Sequence, residues 1–104
     1  MDKVQYTDTV EKSSAEKFAY TLDYSGRTPN SATVSSCAVA AKNLASGATD
    51  NTVISGTTAT VTTTTAAVFL QAGTSGKQYQ IKFTATLSDG SVLVDYVLLI
   101  VKDL

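Results

Sequence analysis

The sequence predicts an all-β protein, an immunoglobulin-like antiparallel β-sandwich of about seven strands with an N-terminal arm. The strongest indication is a pair of long strand-like runs near the C-terminus that are joined by a turn. Apolar and polar residues alternate along the first run, and the second run is apolar at almost every position. Short runs of β-branched residues lie between glycine-containing loops in the rest of the chain, and no helical period separates them.

The N-terminal segment is polar, with weak alternation at Val4, Tyr6 and Val10. We expect residues 1–15 to form an N-terminal arm or edge strand and residues 16–104 to form the sandwich domain, because 104 residues leave no room for a second domain. The first strand of the sandwich is predicted where apolar residues take every second position, at Phe18, Tyr20, Leu22 and Tyr24. The loop that ends it, residues 25–30, holds the only proline of the chain.

Further strands are predicted through the middle of the chain. Residues 32–41 read as a strand in which the inward positions are Val34 and, after a local shift of face, Cys37, Val39 and Ala41. Val53 and Ile54 predict a short strand, residues 58–63 a threonine-rich strand, and residues 68–70 another short one. The threonine run at 62–65 is expected to be ordered, because its flanks are strand-like.

The C-terminal hairpin is predicted from a period of two. Tyr79, Ile81, Phe83, Ala85 and Leu87 form the inward set of the first strand. Asp89 and Gly90 supply a tight turn, because both residue types accept a positive φ. The second strand, residues 92–101, is apolar on both faces, so we expect both faces to be covered by other residues or by a partner.

Composition excludes several classes of function. The chain has no histidine and one cysteine, which argues against Ser-His-Asp and Cys-His catalysis and against zinc sites. Its net charge is -1 with scattered basic residues, so we expect no nucleic-acid partner, and no apolar run is long enough to predict a membrane span. Cys37 is interpreted as a small core residue. We therefore expect no enzymatic activity, no cofactor and no metal.

The polar clusters of the sequence are more typical of turns than of catalytic or ligand-binding sites. Asp23, Asp50, Asp89 and Asp95 would form an acid/base pair only if the fold brought two of them together in a cleft. The clusters 49–51 and 89–90 lack the spacing of a calcium loop, and the stretch 73–77 lacks the spacing of a phosphate loop. Tyr79 follows a glycine-rich loop, where a sandwich often ties such a loop back to the backbone, so we interpret it as a structural anchor.

Several segments resemble a family of small virion proteins of tailed bacteriophages, the fiber-tail adaptors. The similarity covers roughly residues 11–103, and its most specific part is the pattern LxxGTxGxxYxIxxxxTxSDG from Leu70 to Gly90, followed by Asp95. A weaker similarity is the pattern YxxDW, written here as Tyr20 to Tyr24. This chain has Tyr24 where the family favours Trp, and Val39 where a second Trp is usual.

The resemblance implies a non-enzymatic structural protein of the virion, made and assembled in the host cytoplasm. It implies an assembly or adaptor module of the tail or fiber attachment region, present in many copies and bound to tail, fiber or capsid subunits. The alternative is a capsid decoration protein on the phage head. A carbohydrate-binding or host-adhesion domain is less favoured, because the chain has no tryptophan to form a sugar platform.

The last strand contains the candidate partner interface. Leu93, Asp95, Val97, Leu99 and Val101 share one face of that strand, and Tyr96, Leu98 and Ile100 lie on the opposite face with Val92 and Val94. A sandwich strand needs one apolar face for the core, so the other face is covered by the N-terminal arm or offered to a partner. We take Tyr96, Leu98 and Ile100 as the candidate partner interface.

Overall fold

Seven strands form two sheets in the computed structural model, which describes residues 6–25 and 32–103. The four-stranded sheet has the order β1, β7, β6, β3, and the three-stranded sheet has the order β2, β5, β4. The strands are β1 (Asp8–Lys12), β2 (Phe18–Asp23), β3 (Val34–Asn43), β4 (Thr60–Val61), β5 (Thr65–Leu70), β6 (Gln78–Leu87) and β7 (Val92–Val101). The predicted all-β sandwich of about seven strands is confirmed. The expected loop at 25–30 falls outside the described residues from position 26 onward, as do residues 1–5 of the arm.

The C-terminal hairpin forms as predicted. β6 and β7, each ten residues long, pair antiparallel, with Phe83 opposite Asp95. The backbone N–H of Leu87 donates to the Ser91 carbonyl at 2.8 Å and closes the turn. Gly90 lies within this turn with φ +91°, in the left-handed region that a side chain disfavours.

The predicted shift of face in β3 is also confirmed. The register between β3 and β6 changes between Val34 and Ser36, which is the signature of a bulge. Val34 lies buried before the bulge, and Cys37, Val39 and Ala41 lie buried after it. The extra residue explains why inward positions change from even to odd numbers within one strand.

One strand pairing, between β1 and β7, is parallel and was not part of the predicted antiparallel sandwich. β1 lies at the edge of the larger sheet and runs parallel to β7, with Asp8 opposite Val97 and Lys12 opposite Val101. Lys102 donates its backbone N–H to the Lys12 carbonyl, so the main-chain groups of alternate β1 residues point toward β7. The N-terminal segment therefore becomes part of the sheet.

The prediction of a short strand at Val53 and Ile54 is wrong. Residues Asn51–Val53 form one turn of 3₁₀ helix, and Ile54 makes a single bridge to Leu70. The Asp50 carboxylate accepts hydrogen bonds from the backbone N–H and the hydroxyl of Thr52, at 3.2 and 2.5 Å. This local bonding competes with strand geometry and decides the conformation.

The threonine-rich strand is shorter than predicted because the chain changes sheets within it. Thr58 bridges Ala38 of the larger sheet, whereas Thr60 and Val61 pair with β5 of the smaller one. The threonine run that follows is ordered, as expected: Thr62 and Thr65 bond through their hydroxyls at 2.5 Å and close a tight turn into β5.

Candidate functional site

The two faces of β7 are clearly different. Val97, Leu99 and Val101 have no exposed surface and fill the core. The three candidate interface residues, Tyr96, Leu98 and Ile100, lie on the outer face of the four-stranded sheet and are half-buried. On the same face, Val92 and Val94 are 55% and 44% exposed. The outer face of β7 is therefore an apolar strip along an inner strand of the sheet, and we define it by Tyr96, Leu98 and Ile100.

The N-terminal segment lies partly across this strip. The Tyr6 hydroxyl donates to Oε1 of Gln80 on β6 at 3.0 Å. Because β7 lies between β1 and β6, the Tyr6 side chain extends across β7 to make this bond. Thr7 binds β7 directly. Its backbone N–H donates to the Tyr96 carbonyl at 2.7 Å, and its hydroxyl donates to Oδ1 of Asp95 at 2.8 Å.

Asp95 is a buried carboxylate on the inner side of β7, with 5% of its surface exposed. Burial raises the pKa of the nearby Cys37 thiol, and the charge of Asp95 raises it further, whereas a hydrogen bond with Tyr24 lowers it. Cys37 is 1% exposed and is therefore a core residue, as predicted. A thiol with these properties is a poor nucleophile.

The other three candidate carboxylates are occupied by local turns. Asp23, Asp50 and Asp89 each accept a hydrogen bond from the backbone N–H two residues ahead, at 2.8 to 3.2 Å. This is the arrangement of an Asx turn, and it confirms turn chemistry at the clusters 49–51 and 89–90. The fold does not bring two of these aspartates together in a cleft. Within the described part of the chain, no cluster of three histidine, cysteine, aspartate or glutamate side chains could hold a metal ion.

Tyr79 has the anchoring role that its position predicted. Its ring is 2% exposed, and its hydroxyl accepts a hydrogen bond from the backbone N–H of Thr74 at 3.0 Å. Gly73 lies next to this bond with φ +92°, and a Cβ atom there would approach Cγ2 of Val101 to 2.8 Å. The stretch 73–77 is thus a structural loop, closely packed at Gly73 and tied to Tyr79 through Thr74.

One cation, Lys12, is buried although nothing in the sequence predicts it. Its ammonium group donates to the carbonyls of Ser13 and Ala72 at 2.6 and 2.5 Å, which closes the end of the sandwich between β1 and the loop after β5. Burial lowers the pKa of Lys12, and the charges of Glu16 and Asp103 oppose this effect. A lysine in a polar arm carries no sequence signal for burial, because its partners are backbone carbonyls.

A second apolar feature lies on the outer face of the smaller sheet. Phe69 is 46% exposed there and borders a shallow hollow of ≈ 270 Å³ whose lining includes Ala19 and Ala67. The Lys17 ammonium group lies 5.5 Å from the centre of the Phe69 ring. The described residues contain no helix long and apolar enough to cross a membrane.

Comparison with known proteins gives a match to a family model. The family model described as podophage GP4 fiber-tail adaptor protein gp77 matches residues 12–100, from the end of β1 almost to the end of β7. Neither the curated proteins nor the solved structures gave a match. The family model covers both sheets and the apolar strip. The chain therefore belongs to the podophage GP4 fiber-tail adaptor family.

Proposed function

We propose that this protein is a non-enzymatic connecting module of the virion, which joins fiber proteins to the tail through the outer face of its four-stranded sheet. The family match over residues 12–100 carries the proposal. Several copies would act together at the joint, as symmetric attachment of fibers requires. The partners are other tail or fiber proteins.

The apolar strip supports this choice of contact surface. Tyr96, Leu98 and Ile100 are packed by their neighbours in the sheet and partly crossed by Tyr6, and each keeps part of its surface exposed. Full burial of an apolar side chain contributes about 1.5 to 3 kcal/mol, so completing the burial of three half-buried ones contributes a few kcal/mol per copy. That contribution is sufficient for assembly when many copies bind together.

The state of the carboxylates supports a non-enzymatic role. Asp23, Asp50 and Asp89 are bound to their own turns, and Asp95 lies in the core. A general acid and base must both reach a substrate from a shared cleft. Each of these four candidate aspartates is held by its own turn or in the core, so the four do not supply such a pair.

The test is the double variant Leu98→Thr/Ile100→Thr. Threonine keeps the β propensity and removes apolar area, so we expect normal folding and loss of incorporation into particles. Phe69→Thr is the control, because it removes apolar area from the opposite sheet. Circular dichroism and denaturation report folding, and the number of copies per purified particle reports incorporation.

Two results would contradict the proposal. Unfolding of the double variant would mean that Leu98 and Ile100 belong to the core, and normal incorporation would mean that no partner binds this face. A particle reconstruction supplies the location independently. Copies at the joint between tail and fibers support the adaptor role, whereas copies tiled on the head would make the protein a capsid decoration protein.

A further inference from the structure

Two lysines lie beside the apolar strip on the same face of the sheet. In the register of β3, β6 and β7, Lys82 pairs with Ala40 on one side and Tyr96 on the other. Lys42 pairs with Gln80, one row further along. Both lysines are exposed, and they occupy diagonal positions on adjacent strands, where long side chains reach one another.

Among the residues that the structure describes, no negative charge pairs with these two lysines. Within the described residues, neither ammonium group has a carboxylate at ion-pair distance. Both lysines border a shallow hollow of ≈ 240 Å³, which Ala40, Gln80 and Tyr96 also line. Two like charges at diagonal positions repel one another, and an anion placed between them would remove that repulsion.

Charge changes across the face in a fixed order. The lysines lie on β3 and β6, the apolar strip lies on β7, and Glu11 lies at the β1 edge opposite Ile100. A ligand that crosses the strands therefore meets the two lysines, then the apolar strip that Tyr6 partly crosses, then Glu11, which shares a hollow with Lys102. A uniformly acidic polymer such as nucleic acid is disfavoured, because two lysines are too few to neutralise a phosphate backbone and Glu11 repels it.

We propose that the partner is a protein segment with an acidic side chain followed by apolar ones. The carboxylate lies between Lys42 and Lys82, and the apolar side chains pack against Leu98 and Ile100. The inference rests on the proposed function, because it names the chemistry of the partner that binds the same face. The lysines fix orientation and register, and the apolar strip supplies most of the affinity.

The experiment measures binding of purified protein to particles assembled without it. Lys42→Glu/Lys82→Glu should bind about tenfold more weakly than the wild type, since each exposed charge pair contributes up to about 1 kcal/mol. Lys42→Gln/Lys82→Gln should fall between the two and should lose the salt dependence that the wild type shows. Lys17→Glu/Lys77→Glu makes the same change in net charge away from the strip and should bind as the wild type does.

The outcomes separate this inference from the proposed function. If Leu98→Thr/Ile100→Thr loses binding while the charge-reversed variant retains it, the acidic partner segment is wrong and the proposed contact face stands. If both variants bind normally, both ideas are wrong. If charge reversal leaves particle binding unchanged but abolishes binding to DNA or to an acidic glycan, the lysines bind a different class of ligand and the inference is overturned.

Discussion

At the residue scale, Phe83 connects the two sheets. Its ring has no exposed surface and lies 6.0 Å from the ring of Tyr20, with 50° between their planes. Val39 and Asp95 are its neighbours on the adjacent strands. Tilted aromatic pairs of this kind stabilise a core beyond the area that they bury. Phe83 is therefore a central contact of the sandwich.

Phe83→Ala should lower the free energy of unfolding by about 3 to 5 kcal/mol, because it leaves a cavity where the two sheets meet. Chemical denaturation followed by circular dichroism measures the loss. Phe69→Ala is the matched control, since its half-exposed ring should cost about 1 kcal/mol or less. Similar losses for the two variants would contradict the assignment of Phe83 to the core.

At the element scale, long strands were predictable from sequence because alternation over many residues leaves few alternatives. The inward set of β6 from Tyr79 to Leu87 and the shift of face before Cys37 both follow from residue type and spacing. The finer immunoglobulin-like assignment stays a prediction, because no solved structure matches the chain.

Short elements and long-range pairings were not predictable. The two apolar residues Val53 and Ile54 predict a strand. Asp50 caps the 3₁₀ helix Asn51–Val53, however, and this local hydrogen bonding outweighs the apolar signal. The pairing of Lys42 and Lys82 with their neighbours depends on a register between segments about 40 residues apart, which no local pattern specifies. The parallel alignment of β1 escaped prediction for the same reason.

The loop after β5 offers a test of close packing. Gly73→Ala should destabilise the protein more than Gly76→Ala does. Both residues have φ near +90°, so both variants carry a backbone strain of about 1 kcal/mol or more. Only at Gly73 does the added Cβ also clash with Val101, which adds about 1 to 3 kcal/mol. Thermal unfolding measures both variants, and equal stabilities would show that the loop moves away from β7 at no cost.

At the scale of the whole molecule, we expect stability to depend on the charge of three exposed carboxylates. The pKa values of Asp23, Asp89 and Asp103 are lowered, in each case chiefly by a hydrogen bond from a backbone N–H. For Asp103 the donor is Ser14, whose hydroxyl also donates at 2.8 Å, so the end of β7 is tied to the chain that follows β1.

We expect the melting temperature to fall as the pH is lowered from about 5 to about 2. A carboxyl group with a lowered pKa stabilises the fold above its unfolded value of 3.8, and that stabilisation is lost as the pH falls through the folded value. Asp103→Asn should be less stable than the wild type near neutral pH and should lose less on acidification. A melting temperature that does not change over this range would contradict the expectation.

Two exposed glycine turns, one beyond each end of β6, mark opposite ends of the sandwich. Gly76 and Gly90 both have left-handed backbone, and an added Cβ meets no atom within 4 Å at either. The ten residues of β6 separate them by roughly 30 Å. A short epitope inserted beside one glycine or the other would mark opposite poles of the molecule. Antibody-labelled particles would then test the proposed joint by showing whether one pole points toward the tail axis and the other toward the fiber.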